Sequence, residues 1–238
     1  MILLIDAGNT RIKWAVYQGE QCLAQGALEH QAIETLSAQL ASFSLARAYG
    51  AAVVQPEVCH RIEQQLPCPL QWVETAVVTA GVRNHYVDPR QMGVDRWLAV
   101  LAARRLVQGD VVVASAGTAL TVEALTAEGD YLGGLIMPGY RLMLDALAKN
   151  TARLDQPAGQ WCDFPQQTAD ALASGALDAM AGAIGRLRLR LAQHTGRPLA
   201  PLLLSGGDAG KIAPLLASPC EIVDNLVLTG LLEVADKT

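Results

Sequence analysis

An acid, a glycine, an amide, a hydroxyl and a base fall within a short stretch near the N-terminus: Asp6, Gly8, Asn9, Thr10 and Lys13. The apolar run from Met1 to Ile5 predicts a buried strand leading into them. A glycine two places after an aspartate allows a turn tight enough for backbone amides to face an anion. Thr10 adds a hydroxyl donor and Lys13 a positive charge. Asp6 would be repelled by a phosphate unless a divalent cation lay between them, and nucleotide-bound Mg²⁺ is the usual mediator. The same residues, taken alone, equally suit a plain β-hairpin turn shaped by its Asp and Asn.

The pattern recurs. Val111 to Ala114 leads into Ser115-Ala116-Gly117-Thr118, followed by apolar strands at 119–125 and 131–137. The N-terminus has the same grammar: strand, glycine turn, strand at 11–17, polar break, strand at 22–28. One unit used twice predicts two halves, residues 1–108 and 109–238. Facing each other, they would set two glycine turns on opposite walls of a nucleotide cleft.

A second set of residues suits an acceptor. Asp95 and Arg96 open a helix expected from about Gly93 to Val107, whose apolar positions Val94, Trp97, Leu98 and Leu101 fall at helical spacing. A helix start is electrostatically favourable for a carboxylate, so Asp95 either stabilises that start or accepts a proton from a substrate hydroxyl. Phosphoryl transfer tolerates so weak a base because its transition state needs alignment more than early proton removal. Tyr86 lies in the polar loop 83–92 before this helix, as an ordinary loop residue or a pocket wall. Thr168 opens a long helix running to about His194, where capping is its ordinary role. Ser205-Gly206-Gly207 follows a short strand, where backbone could lie flat against a ribose or purine. The stretch from Gly206 to Lys211 is not a Walker motif, because Ile212 stands where Ser or Thr is required.

Together, the DAGNT turn with Lys13, the GVDR tetrapeptide at Gly93 to Arg96, AGTALTV at 116–122, GGLIMPG at 133–139 and the Ser205-Gly206-Gly207 turn resemble type III pantothenate kinases. The motifs run in order over nearly the whole chain. That resemblance implies an α/β fold of duplicated, ribonuclease H-like halves, as in the actin, Hsp70 and sugar-kinase superfamily. It also implies ATP-dependent phosphorylation of pantothenate at its 4′-hydroxyl, the first step toward coenzyme A. By resemblance Asp6 positions Mg²⁺ through water, and Gly8, Asn9, Thr10, Arg11, Lys13, Gly117 and Thr118 hold the phosphates. Gly206 and Gly207 contact adenosine, Asp95 is the catalytic proton acceptor, and Tyr86, Gly93, Val94, Asp95 and Arg96 line the pantothenate pocket. The family implies a homodimer in which Thr168 reaches the partner's pocket. Many relatives bind K⁺ or NH₄⁺ at an aspartate opening the second turn. This chain has Ser115 there, whose neutral hydroxyl puts that dependence in doubt. The alternatives are a kinase for another small hydroxy acid or sugar, separable by a substrate panel, and a regulatory nucleotide-binding protein of the same fold without turnover.

Composition fits a compact enzyme: 238 residues, 51% hydrophobic, only two Phe, and a net charge of −5 without a charge run. A nucleic-acid partner is not expected, since backbone binding requires a basic face. Five scattered cysteines without a CxxC pair indicate neither a disulfide framework nor a zinc site. The start lacks the basic region of a signal peptide, and no apolar run reaches the roughly 20 residues of a membrane span, so a cytoplasmic protein is expected. His30, His60, His85 and His194 show no ligand-like spacing. The remaining expected elements are helices at 32–41, 56–65, 140–149, 208–216 and 225–235, and strands at 46–54, 67–73, 202–204 and 221–223.

Overall fold

The computed structural model describes residues 1–216 and 220–237. The chain folds as two units, Met1–Leu106 joined by Leu226–Thr238, and Val107–Asn225.

In the first unit, β1 (Ile2–Ala7) is the central strand, with β2 (Ile12–Gln18) and β3 (Gln21–Leu28) forming an antiparallel meander on one side. On the other side β4 (Arg47–Ala52) and β5 (Leu70–Trp72) run parallel to it, giving the order β3-β2-β1-β4-β5. Leu3, Leu4 and Ile5 are fully buried, as expected of a strand covered on both faces. The expected helix at 32–41 begins as a 3₁₀ segment, His30–Thr35, and continues as α1 (Leu36–Leu40). α2 (Pro56–Glu63) starts on its proline, whose missing N–H costs nothing in a first turn.

Just ahead of the expected loop 83–92, and overlapping its start, lies a hairpin that the sequence reading lacks, β6 (Val78–Thr79) and β7 (Val82–Asn84). Ala80 and Gly81 at its tip both have positive φ, 49° and 77°, the backbone that two-residue hairpins require. α3 (Val94–Leu106) is buried almost all round from Arg96 to Ala103, so it is a core helix rather than a one-faced amphipathic one.

The second unit repeats the plan. β8 (Val111–Ala116), β9 (Ala119–Leu125) and β10 (Asp130–Pro138) form the antiparallel meander, while β11 (Leu202–Ser205) and β12 (Cys220–Ile222) add in parallel beyond β8. The order of the second unit's own strands, β12-β11-β8-β9-β10, matches the first sheet strand for strand in position and direction. The helices are α4 (Tyr140–Asn150), α5 (Thr168–Thr195) and α6 (Ala209–Ile212), the last followed by a 3₁₀ turn at Ala213–Leu215. α5 buries Leu177, Met180, Ile184, Leu187 and Leu191 against the sheet and ends at Gly196, in the left-handed conformation (φ 68°) that favours glycine.

The final helix, α7 (Leu226–Lys237), departs from the expected division at 108/109, because it belongs to the first unit. It packs against α3 so closely that a Cβ at Gly230 would collide with the backbone of Leu98. Arg105 clamps the pair, donating from Nη1 to Glu233 and Asp236, both at 2.8 Å, and from Nη2 to Glu20 at 3.0 Å. A close backbone approach and a three-carboxylate ion cluster are tertiary features with no local sequence signature, so the chain-order division misplaced this helix.

Candidate active site

The strand pairing builds the first half of the site. Antiparallel register sets Asp6 directly across from Lys13, and the residues between them, 8–11, form the connection. Asn9, Thr10 and Arg11 are exposed, Gly8 and Asp6 half-buried. Desolvation raises the Asp6 carboxyl from 3.8 to about 6; Lys13 opposes that rise and the negative charge of Asp95 adds to it. The acid of the turn and the acid of the α3 start therefore sense one another within a single unit. His30, which the sequence reading left unassigned, has Nε2 2.9 Å from the carbonyl oxygen of Gly8.

Around Asp95, the start of α3 is wound tightly. Gly93 O accepts from both Arg96 N and Trp97 N at 3.1 Å, and Asp95 Oδ1 accepts from Arg96 N at 2.9 Å. The helix-start role of Asp95 is thus present in the geometry. A side chain at position 93 would lie 2.6 Å from Asp95 Oδ1, so glycine is what lets the carboxylate take this position. Val94 is the first helical residue.

Arg96 is buried, at 6% exposure, and donates from Nη1 to Tyr86 Oη at 2.9 Å while its guanidinium lies 5.7 Å from the centre of the same ring. Tyr86 is placed in turn by Asn84, whose Oδ1 accepts from Tyr86 N at 3.0 Å and whose Nδ2 lies 3.6 Å from Met92 Sδ. Asn84 is 5% exposed and acts as a strut for the loop. The structure therefore brings Tyr86, Gly93, Val94, Asp95 and Arg96 into one array, ordered by backbone and side-chain bonds.

In the second unit three turns converge. Gly117 N donates to Ala119 O at 3.0 Å, and Gly139, just past β10, donates to Thr118 O at 2.9 Å. Gly139 packs on the Gly117–Thr118 backbone with no space for a Cβ. From the β11 side, Asp208 N donates to Ala116 O at 3.1 Å, and Gly206, at φ 100°, rests against Ala116 where a Cβ would collide with its backbone. Gly117, Thr118, Gly206 and Gly207 all remain exposed. Ser115, at the position equivalent to Asp6, pairs in register with Thr121 on one side and Ser205 on the other, so this corner carries no charged partner in the sheet.

Among the described residues, Thr168 makes no hydrogen bond to these turns. Gln167 occupies the cap position of α5 and makes no side-chain cap bond, so Thr168 is the first helical residue rather than the cap. It is exposed on the wall of an apolar groove of about 540 Å³ lined by Met143 and Leu147 of α4, Leu172 of α5, and Pro138 and Leu154 outside those helices. Among the described residues no cluster of three or more His, Cys, Asp or Glu could hold a metal by itself. No described helix is long and apolar enough to cross a membrane.

Comparison with known proteins agrees with this arrangement. A family model described as type III pantothenate kinase matches residues 2–190. The type III pantothenate kinase of Chromobacterium violaceum is 58% identical over 236 residues, spanning 99% of this chain and all of the relative. That of Aromatoleum aromaticum is 45% identical over 240 residues, spanning 99% and 98%. Among solved structures, a Sinorhizobium meliloti protein provisionally described as a 2-dehydro-3-deoxygalactonokinase superposes with a TM-score of 0.62 over 100% of this chain and 99% of its own, at 15% identity. At that identity the likeness concerns fold alone, and the twice-used sheet is the duplicated, actin-like ATPase architecture. With a family model over most of its length and full-length relatives well above the level of chance, the chain belongs to the type III pantothenate kinase family.

Proposed function

We propose that this protein transfers the γ-phosphoryl group of ATP to the 4′-hydroxyl of pantothenate, the entry step to coenzyme A. The observation that carries the reading is the ordered array at the start of α3, where Asp95 and the Tyr86-bound Arg96 stand in the same unit as the Asp6 turn and the charge of Asp95 helps to raise the Asp6 carboxyl. Gly8, Asn9, Thr10, Arg11 and Lys13 are assigned to phosphate oxygens, as are Gly117 and Thr118 of the second unit. Gly206 and Gly207, flat and exposed, are assigned to adenosine. Arg96, ordered by Tyr86, is assigned to the carboxylate of pantothenate, with Gly93 and Val94 as pocket wall.

The residues present fit Mg²⁺. Two neighbouring carboxylates, one of them raised to about 6, form an electrostatic situation that a divalent cation relieves. Mg²⁺ characteristically takes one or two carboxylates, with phosphates and waters completing its shell. Asp6 is the residue that would hold it through water, and the ion, when bound, neutralises charge on the phosphates. Asp95 accepts the hydroxyl proton as the oxygen attacks, while the backbone of the turn and Lys13 keep the phosphoryl group in line. Ser115, an uncharged residue flanked in register by Thr121 and Ser205, offers little attraction to K⁺ or NH₄⁺, so neither is assigned to the site.

The active form is taken to be a cytoplasmic homodimer in which Thr168 contributes to the partner's pocket. Support comes from the apolar groove beside Thr168 and from Leu142 and Leu147 of α4, 42% and 40% exposed. Incubating the purified protein with ATP, Mg²⁺ and pantothenate, with and without K⁺, should give phosphopantothenate by mass spectrometry. Absence of that product, with ADP formed instead from another hydroxy acid or sugar, would redirect the assignment.

A further inference from the structure

The two units close their glycine turns differently. Four residues, 8–11, join β1 to β2, whereas only 117–118 join β8 to β9. The short turn is closed by backbone alone, through the Gly139 amide just beyond the third strand of its sheet. In the first unit the third strand ends at Leu28, and two residues later His30 reaches Gly8 O with Nε2 at 2.9 Å. A carbonyl oxygen can only accept, so Nε2 carries the hydrogen, as it does in both the Nε2–H neutral tautomer and the cation. The histidine backbone is itself held: Arg61 Nη2 donates to His30 O at 3.1 Å, and the same guanidinium grips Glu34 from Nε at 3.1 Å and Nη2 at 2.7 Å.

This bond has a directional consequence. In a planar trans peptide the C=O and the following N–H point in opposite directions. Drawing Gly8 C=O toward His30 aims the Asn9 N–H away from it, out of the other side of the turn. We infer that His30 is a positioning residue of the nucleotide site, orienting the Gly8–Asn9 peptide so that the Asn9 amide is presented to a phosphate oxygen. The longer first turn has more backbone freedom to lose on binding than the second, and the imidazole removes part of it in advance. The inference rests on assigning this turn to the nucleotide's phosphates.

The test uses three variants of the full-length protein and two readouts, Mg-ADP binding by calorimetry and steady-state kinetics. His30→Phe keeps the ring and removes the donor; it should raise the Mg-ADP Kd and the ATP KM by about tenfold, the loss expected for one hydrogen bond. The pantothenate KM and the thermal midpoint should stay at wild-type values. His30→Gln, whose amide donor reaches a similar distance, should recover most of the affinity. Unchanged Mg-ADP affinity in His30→Phe, or a parallel loss in both KM values and the midpoint without rescue by Gln, would overturn the inference. Thr10→Ala separates the two layers. If it weakens Mg-ADP while His30→Phe does not, the turn keeps its assignment and His30 loses its role; if neither does, the assignment and the inference fall together.

Discussion

Replacing Asp6 by asparagine should make the ligand-free protein more stable and the enzyme inactive. Burial, with the charge of Asp95 adding to it, outweighs the attraction of Lys13 and pushes the folded carboxyl up to about 6 from the ordinary 3.8. A raised acid pKa means that ionising the group costs the folded state more than the unfolded one. Below 3.8 both states hold the proton and there is no penalty. As the pH climbs through about 6 the penalty becomes complete. Two pKa units correspond to about 3 kcal/mol at full ionisation. Asp6 keeps some contact with solvent, which reduces the expected gain to about 1–3 kcal/mol. An asparagine of the same shape never ionises and so avoids the whole term.

The assay is thermal or urea unfolding of wild type and Asp6→Asn without nucleotide, at about pH 7.5 and again near pH 4. The variant should be the more stable at the higher pH, and the difference should shrink toward zero at the lower one. Its turnover should fall by at least about 10²-fold, since the neutral amide cannot hold a cation against phosphate. An unchanged midpoint at pH 7.5, or an advantage that persists undiminished at pH 4, would refute the argument that Asp6 is held ionised at a cost to the fold.

Asp95→Asn should lower kcat by about 10²–10⁴-fold while leaving Mg-ADP affinity within about threefold of wild type; normal turnover would remove Asp95 from the chemistry. Tyr86→Phe deletes the hydroxyl that accepts from the buried Arg96, and the pantothenate KM should rise by about three- to tenfold with ATP KM unchanged. Leu147→Asp places a charge on the half-exposed α4 face beside the groove, and sedimentation should show monomer where wild type sediments as dimer; a dimer in both would discard that face as the contact. Ser115→Asp restores a negative charge at the end of β8, so the ratio of rates in K⁺ and Na⁺ should increase in the variant, and an identical ratio would show that this corner does not decide cation response.

Much of the fold was legible because its signals are local. The buried run before Asp6 and the strand-turn-strand grammar indicated β1 and β2, and strand geometry then places Asp6 opposite Lys13 once the connection has four residues. The Val94, Trp97, Leu98 and Leu101 spacing located α3 to within a residue at each end. The repeated strand-turn-strand grammar anticipated two sheets of one topology. What escaped depends on contacts between distant residues. His30 lies 22 positions from Gly8, and a single histidine two residues past a strand has no periodicity to mark it. α7 joins α3 through Gly230 and Arg105, partners separated by about half the chain or more. The β6–β7 hairpin was hidden because Ala80 occupies a positive-φ position where Asn, Asp or Gly would have given the turn away.

Duplication also explains how one backbone plan yields two chemically different corners. At the end of each first strand stands a residue flanked by its neighbours in register: Asp6 by Lys13 and Ala51, Ser115 by Thr121 and Ser205. The first corner sets charged residues opposite one another in register and has a longer turn held by a side chain; the second sets hydroxyls in register, and its turn is shorter and closed by backbone glycines. Charged groups brought together at partial burial cost the fold energy unless a ligand completes them, whereas hydroxyls and amides cost little. A chain that duplicated its unit therefore had reason to keep the expensive arrangement in one copy, beside the acceptor array of Tyr86, Asp95 and Arg96, and to let the other copy serve by shape and hydrogen bonding. The raised Asp6 carboxyl is the physical trace of that difference, because it marks the corner where burial and the charge of Asp95 load the free protein electrostatically, a load that protonation or a bound cation would lessen.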